Sequence, residues 1–130
     1  MKITSAALSL NVADVEASAR FAAESFGFTE QMSADGFVSM AHPDLALNVI
    51  FLRTGLPTFR PASIAGAAGE GMLVALVVDR LDDEFARLAA AGAAVVTAPE
   101  TEPWGERYCQ VQDPNGIVWQ LVEWVDTPPA

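Results

Sequence analysis

The residues that carry most enzyme chemistry are scarce in this chain. It has one cysteine, Cys109, and one histidine, His42. A lone cysteine makes no internal disulfide, and with a single histidine it cannot build a zinc-type cluster. A reducing, cytoplasmic setting is the natural expectation. Basic residues are few: 7 Lys and Arg stand against 17 Asp and Glu, a formal net charge of −10. Nucleic acid is therefore not expected as a partner, because its phosphates would be repelled, whereas a cationic or neutral small ligand is compatible. No apolar run approaches the ~18 residues of a membrane-spanning helix, so no membrane partner is expected either. Residues 3–13 are interrupted by Ser, Thr and Asn and closed by Asp14 and Glu16, which makes a poor signal peptide. Also missing are a Gly-x-Ser-x-Gly elbow, a phosphate-binding loop and a dinucleotide fingerprint.

What the chain does hold is apolar surface. Of its 130 residues 52% are hydrophobic and 18% charged, a composition that folds and a length suited to one domain with its own core. Along 6–12 the residues alternate as in a strand, with Leu8, Leu10 and Val12 on one face and Ala7, Ser9 and Asn11 on the other. Asp14 then caps a helix reaching about residue 26, with Val15, Ala19, Ala22 and Phe26 as its apolar stripe and Gly27 as its stop. Strands over 28–33, 37–41 and 45–53 follow, separated by Asp35-Gly36 and His42-Pro43-Asp44. Residues 54–71 lack periodicity and are rich in glycine; a loop of that length is a linker or a binding-site cover. The pattern then begins again. A strand over 72–78 leads to a helix with Leu81, Phe85 and Leu88 on one side, ending at Gly92, and to strands over 94–97, 107–112 and 117–125. Asp79 precedes Gly92 by the spacing at which Asp14 precedes Gly27. The chain thus reads as one domain, 1–130, made of a duplicated βαβββ unit: module 1 at about 1–53, a linker at 54–71 and module 2 at about 72–125.

The last hairpin is the most specific stretch. Its strands flank Asp113-Pro114-Asn115-Gly116, where proline presets φ and Asn-Gly admits the positive φ of a tight reversal. Alternation in the second strand sets Val118, Gln120 and Val122 against Trp119, Leu121 and Glu123. Trp119 is expected to pack against a helix. Gln120 lies mid-strand among apolar neighbours, either as a partnered amide or as part of a pocket lining. Its face, extended by parity to Ala75 and Val77 and to Ala7, Ser9 and Asn11, is small, mostly apolar and uncharged, which is how ligand pockets are built.

Two βαβββ units, the second closing on a DPNG turn, resemble the vicinal-oxygen-chelate superfamily. That group contains glyoxalase I, extradiol dioxygenases, fosfomycin-resistance enzymes and bleomycin-resistance binding proteins. The resemblance covers essentially the whole chain and is carried most specifically by LSLNVADVEAS near the N-terminus and PWGERYCQVQDPNGIVWQL near the C-terminus. It implies an α+β fold in which paired βαβββ modules form half-barrels around a cavity, in a homodimer with strand exchange. In the superfamily's enzymes one side chain from the first and last strand of each module holds a divalent metal. Carried over, those positions fall on Ala7, on Met72 or Leu73, on Asn48 and on Gln120. Neutral amides without imidazole or carboxylate do not hold Mn²⁺, Fe²⁺, Ni²⁺ or Zn²⁺. No metal, no cofactor and no catalytic residue is therefore expected. His42, before Pro43, reads as a solvated turn residue, and Glu102 and Glu106 as a solvated pair flanking Trp104.

Without a metal, the nearest kin implied are the members that sequester an antibiotic. Pro103-Trp104-Gly105, with Arg107 and Tyr108 following, resembles the matching segment of bleomycin-binding proteins. This implies Trp104 as a stacking residue, with Phe37 second by strand position. Ser9, Asn11, Asn48 and Gln120 would orient the ligand by hydrogen bonds, and Tyr108, Val118 and the loop residue Phe59 complete the expected contacts. The expectation is a non-enzymatic protein that reversibly binds a bulky natural product, planar aromatic or cationic, and confers self-resistance by sequestration. The alternatives are a metal-dependent glyoxalase- or dioxygenase-type enzyme, or a metal-free enzyme or carrier of a biosynthetic intermediate.

Overall fold

Alternating apolar residues build both sheets of the structure, a computed structural model that describes residues 1–68 and 70–125. The chain divides into two units, Met1–Glu70 and Gly71–Ala130, so residues 54–70 go with the first. In the first unit β1 (Ala6–Val12), α1 (Val15–Phe26), β2 (Thr29–Ala34), β3 (Phe37–Ala41) and β4 (Leu47–Arg53) form a sheet of order β1-β4-β3-β2. The second unit repeats this with β5 (Val74–Val77), α2 (Leu81–Ala90), β6 (Ala94–Thr101), β7 (Glu106–Gln112) and β8 (Val118–Trp124), in the order β5-β8-β7-β6. In each unit the first and last strands pair in parallel and the rest antiparallel, since only the first connection is a helical crossover. The α+β class and the βαβββ repeat are those expected. The main shift in boundaries is β6, which continues past residue 97 to Thr101 through two register irregularities on either side of Thr97.

In the first unit Leu10, Val12, Val38, Met40, Val49 and Phe51 are buried on one face of the sheet, with Val15 and Ala22 of α1 also buried. Removing each of the Val, Leu, Met and Phe side chains from water contributes roughly 1.5–3 kcal/mol. Asp14 caps α1 as its sequence position implies, its Oδ1 accepting from the Ala17 N–H at 3.1 Å. Gly27 closes the helix in the left-handed region at φ 80°, donating to Ala23 O at 3.1 Å. His42 is not a solvated turn residue. Its Nε2 lies 2.9 Å from the Phe26 carbonyl, its Nδ1 accepts from the Asp44 N–H at 3.1 Å, and its ring meets Phe28 edge-on at 5.1 Å. The residue thus ties the end of α1 to the end of β3 and has no free nitrogen for chemistry.

In the second unit the helix start is built differently. The N-cap position is Arg80, with no capping hydrogen bond from its own side chain, so Asp79 is not the counterpart of Asp14 that equal spacing implied. The acceptor comes from β8: Glu123 Oε1 takes the Leu81 N–H at 2.8 Å. Beside it Arg107 of β7 grips Asp82 through two hydrogen bonds, Nε to Oδ2 at 2.9 Å and Nη2 to Oδ1 at 2.7 Å. That hydrogen bond holds the Asp82 carboxyl below its usual range. Carboxylates at a helix N-terminus are favourable by charge as well as by hydrogen bonding. The hairpin between β7 and β8 turns on Asp113, which is buried and whose Oδ1 accepts from the N–H groups of Asn115 and Ile117, both at 2.9 Å. Only Gly116 adopts positive φ there, so Asn115 contributes its backbone donor rather than a left-handed conformation. Among the described residues no helix is long and apolar enough to cross a membrane.

Glu123→Ala removes the acceptor at the start of α2 and is expected to lower stability by ~1 kcal/mol, whereas Asp79→Ala is expected to be nearly neutral. Urea denaturation of the two variants checks this. A larger loss for Asp79→Ala would restore Asp79 as the cap.

Candidate functional site

Strand alternation gives each sheet one face toward its helix and one face that the helix leaves uncovered. In the second unit the contacts of Arg107 and Glu123 with the start of α2 identify the helix face. Cys109, Val111, Trp119 and Leu121 share that parity and are buried. Burial pushes the Cys109 thiol up from its ordinary value, which leaves it an inert core residue. Trp119 is fully buried, as expected of a residue packed against a helix. Tyr108, Gln110, Val118, Gln120, Val122 and Trp124 therefore fall on the uncovered face.

Across that face runs a line of hydrogen bonds. Thr97 stands opposite Gln110, Gln110 opposite Gln120, and Gln120 beside Ala75 on β5. The Thr97 hydroxyl donates to Gln110 Oε1 at 2.7 Å, and Gln110 Nε2 donates to Gln120 Oε1 at 2.8 Å. All three side chains are half-buried. Gln120 is thus a partnered amide on the face that the helix leaves uncovered. The small side chain of Ala75 leaves room next to it.

Nearer the 102–105 turn the same face becomes acidic and aromatic. Glu100 stands opposite Tyr108, and the phenol oxygen lies 3.2 Å from Glu100 Oε2 and 3.1 Å from Glu102 Oε1. The hydrogen bond to Glu102, then loss of solvent and the Glu100 bond, push the Tyr108 hydroxyl up to about 12. Glu102 is accordingly not the solvated loop carboxylate that the sequence suggested; it is half-buried and partnered. Trp104 is 63% exposed and Trp124 60%. The two belong to one edge of the unit, because Val125 N–H donates to Gly105 O at 2.8 Å and Trp124 pairs with Glu106. Two large aromatic surfaces held open in water this way are unusual for a residue type that is mostly buried.

In the first unit the uncovered face carries Ala7, Ser9 and Asn11 on β1, Asn48 and Ile50 on β4, and Phe37 and Ser39 on β3. Phe37 is half-buried and Ser9 exposed. Asn48 Nδ2 donates to Gln31 Oε1 at 2.6 Å, and the Ser39 hydroxyl reaches the same oxygen at 3.5 Å. Two expected ligand contacts are occupied otherwise. Asn11 Nδ2 donates to the carbonyls of Ile64 and Gly66 at 2.6 and 2.8 Å, and its own carbonyl accepts from Ala68 N–H at 3.0 Å. Asn11 is therefore the tether of the 54–70 segment, since both donors of its amide are taken. Phe59 is only 8% exposed, an anchor of that segment rather than a ring presented to a ligand. Phe37 and Trp104 belong to different units.

Register also settles which residues occupy the positions that hold a metal in the enzymes the chain resembles. Arg80 begins α2 as Asp14 begins α1, and Leu73 stands as far before Arg80 as Ala7 does before Asp14. Leu73, not Met72, is the counterpart of Ala7. Ser9 and Ala75 are equivalent in the same way, and they pair with Ile50 and Gln120. The counterpart of Gln120 is thus Ile50, not Asn48, which the sequence offered as the one polar candidate in its strand. Ala7, Ile50, Leu73 and Gln120 are three hydrocarbons and an amide, and they do not fit a divalent ion. Among the described residues no group of three or more His, Cys, Asp or Glu is placed to hold one.

Thr97, Gln110, Gln31, Glu100 and Trp124 were not among the expected site residues. Alternation along Tyr108-Cys109-Gln110-Val111-Gln112 carries the signal for Gln110. Thr97 and Glu100 were hidden by the irregular register of β6, which strict period two does not anticipate.

A family model described as the glyoxalase/bleomycin resistance protein/dioxygenase superfamily matches residues 3–121. Curated relatives include an uncharacterized protein of Mycobacterium bovis, 36% identical over 87 residues, covering 67% of this chain and 52% of that protein. An uncharacterized protein of Mycobacterium tuberculosis matches with the same identity over 87 residues, 67% of this chain and 46% of its own length. The chain spans about half the length of the curated relatives it matches. Among solved structures, a glyoxalase/bleomycin resistance protein/dioxygenase from Nocardioides superposes with TM-score 0.75 at 23% identity, over 100% of this chain and 90% of that one. TioX from Micromonospora sp. ML1 gives 0.68 at 23%, over 95% and 100%. Lactoylglutathione lyase from Agrobacterium tumefaciens gives 0.73 at 19%, over 90% of each chain. At these identities the structural likeness is one of fold.

Tyr108 is the only tyrosine, so its ionisation is readable by absorbance at 295 nm without interference. In the folded protein the midpoint is expected near 12 rather than 10, and Glu102→Gln is expected to bring it down. The raised value favours the neutral phenol in the folded state, so its stabilisation is present below pH 10 and is lost as pH rises through 12. A midpoint at the ordinary value in the folded protein would show the phenol free of both carboxylates.

Proposed function

The chain belongs to the glyoxalase/bleomycin resistance protein/dioxygenase superfamily, and from that premise we propose that it is a binding protein which holds a natural product reversibly and changes no bond in it. The observation that carries the reading is the helix-free face of the second unit. There Trp124, with Trp104 in the adjoining turn, is open to solvent at one edge, Tyr108 is held between two carboxylates, and an amide stands where the superfamily's enzymes place a metal-holding carboxylate. Planar aromatic ligands gain from offset stacking on such rings. A cationic substituent gains from the ring faces and from Glu100 and Glu102, with the overall charge of −10 adding weak attraction. Sequestration of an antibiotic, and self-resistance as its purpose, are the biological form we propose for this binding.

A metal-dependent glyoxalase or dioxygenase reaction draws no support from the donor set, since an alanine, an isoleucine, a leucine and a glutamine supply no charge for a divalent ion. The carrier reading uses the same face and differs only in the fate of the ligand.

Tryptophan fluorescence of the purified protein against bleomycin, mitomycin C and a quinoxaline peptide antibiotic tests the proposal. Saturable quenching at micromolar affinity or tighter is expected for at least one of them. Trp104→Ala is expected to weaken that affinity about tenfold or more, as for an aromatic anchor at the centre of a contact. Unchanged affinity in both Trp104→Ala and Trp124→Ala would remove the second unit's aromatic edge from the binding surface.

A further inference from the structure

The line Thr97–Gln110–Gln120 has no charged member, and this gives it a property that a metal-holding carboxylate lacks. In the structure its donors run one way: Thr97 O–H to Gln110 Oε1, then Gln110 Nε2–H to Gln120 Oε1. With Oε1 taken by Gln110, the group Gln120 offers a ligand is Nε2, a donor. A threonine hydroxyl accepts as readily as it donates, and an amide carries an oxygen and an NH₂ group of nearly the same shape. Rotating both amides by half a turn reverses every bond: Gln120 Nε2 donates to Gln110 Oε1, and Gln110 Nε2 donates to Thr97 Oγ1. The bond count and the heavy-atom shape are preserved, and Gln120 now turns Oε1 outward, an acceptor. A charged terminus would forbid the reversal, because a carboxylate only accepts and an ammonium only donates. The neighbour of Gln120 on the other side is Ala75, which has no polar group to bias it. The first unit has no such line: there Ser39 and Asn48 both donate to one oxygen, Gln31 Oε1, at 3.5 and 2.6 Å.

We propose that Gln110 and Thr97 are specificity-determining positioning residues, and that their reversible line lets Gln120 meet a ligand either as donor or as acceptor. The inference rests on the reading of Gln120 as a ligand-contacting residue. It deepens that reading by naming the polar chemistry the site takes: neutral heteroaromatic groups presenting a ring nitrogen or carbonyl, and equally those presenting an N–H. Such indifference suits a protein that binds several related natural products. It contrasts with sites in which a fixed donor rejects one class outright because a buried polar group would be left unpaired.

Two neutral bicyclic probes test this, quinoline with an acceptor nitrogen and indole with a donor N–H. Each is titrated into ¹⁵N-labelled protein while the Gln120 side-chain amide is followed by NMR. In the wild type both are expected to shift that signal, with affinities within about threefold of each other. Gln110→Glu locks the line, since its carboxylate accepts from both Thr97 and Gln120 and leaves Gln120 Oε1 outward. Quinoline is then expected to lose about tenfold in affinity, the usual effect of one lost hydrogen bond, and indole to change little. Thr97→Asp locks the line in the same sense from its far end and should reproduce this selective loss if Gln110→Glu folds poorly. Equal loss of both probes, or loss of neither, in a folded variant would overturn the reversible line while leaving Gln120 as a contact. Failure of either probe to reach Gln120 in the wild type would overturn the contact and the inference with it.

Discussion

Trp119 is fully buried on the helix face of β8, and the period of two in a strand does the rest. With Trp119 and Leu121 committed to the core, Gln120 must stand on the opposite face, beside Gln110 on β7 and Ala75 on β5. The same constraint separates Arg107 from Tyr108. Arg107 turns to the start of α2 and grips Asp82, while Tyr108 turns away and meets Glu100 and Glu102. A shift of one residue in β8 would bring Gln120 into the core and break the cap that Glu123 provides for Leu81. Core packing, helix capping and the composition of the helix-free face are thus consequences of one register.

Chemistry follows from what that register places at the metal-holding positions of the superfamily. A carboxylate there would carry the charge that draws a divalent ion. Gln120 instead carries an oxygen, held by Gln110, and an NH₂ group, and its equivalent Ile50 carries neither. In the binding role proposed for it, an amide line of this kind would orient a ligand by about a kilocalorie per hydrogen bond, enough to select a pose. The aromatic edge supplies contact area without direction. Together they suit the reversible binding proposed for the protein.

Much of this was readable from alternation alone. The βαβββ repeat, the cap at Asp14, the stop at Gly27 and the opposite fates of Trp119 and Gln120 all follow from local period and turn chemistry. What escaped are features where the chain departs from period or where a distant residue takes over a local task. The cap of α2 comes from Glu123, far along the chain, so equal spacing pointed wrongly to Asp79. The bulged β6 carries Thr97 and Glu100 to positions that strict alternation misassigns. His42 looked solvated because its partners, the Phe26 carbonyl and the Phe28 ring, lie across a helix end. Asn11 shares the parity of Ser9, yet its amide is taken by the 54–70 segment, whose path no periodicity foretells.

The central claim is that the protein binds without reaction at a face that offers no metal its ligands. It is tested most directly by incubating a ligand that quenches tryptophan with stoichiometric protein, alone and with added Mn²⁺, Fe²⁺, Ni²⁺ or Zn²⁺, and recovering it for mass spectrometry. The account predicts the ligand returned with unchanged mass under every condition. A new mass that grows with time and requires one of the metals would contradict it and make the protein an enzyme.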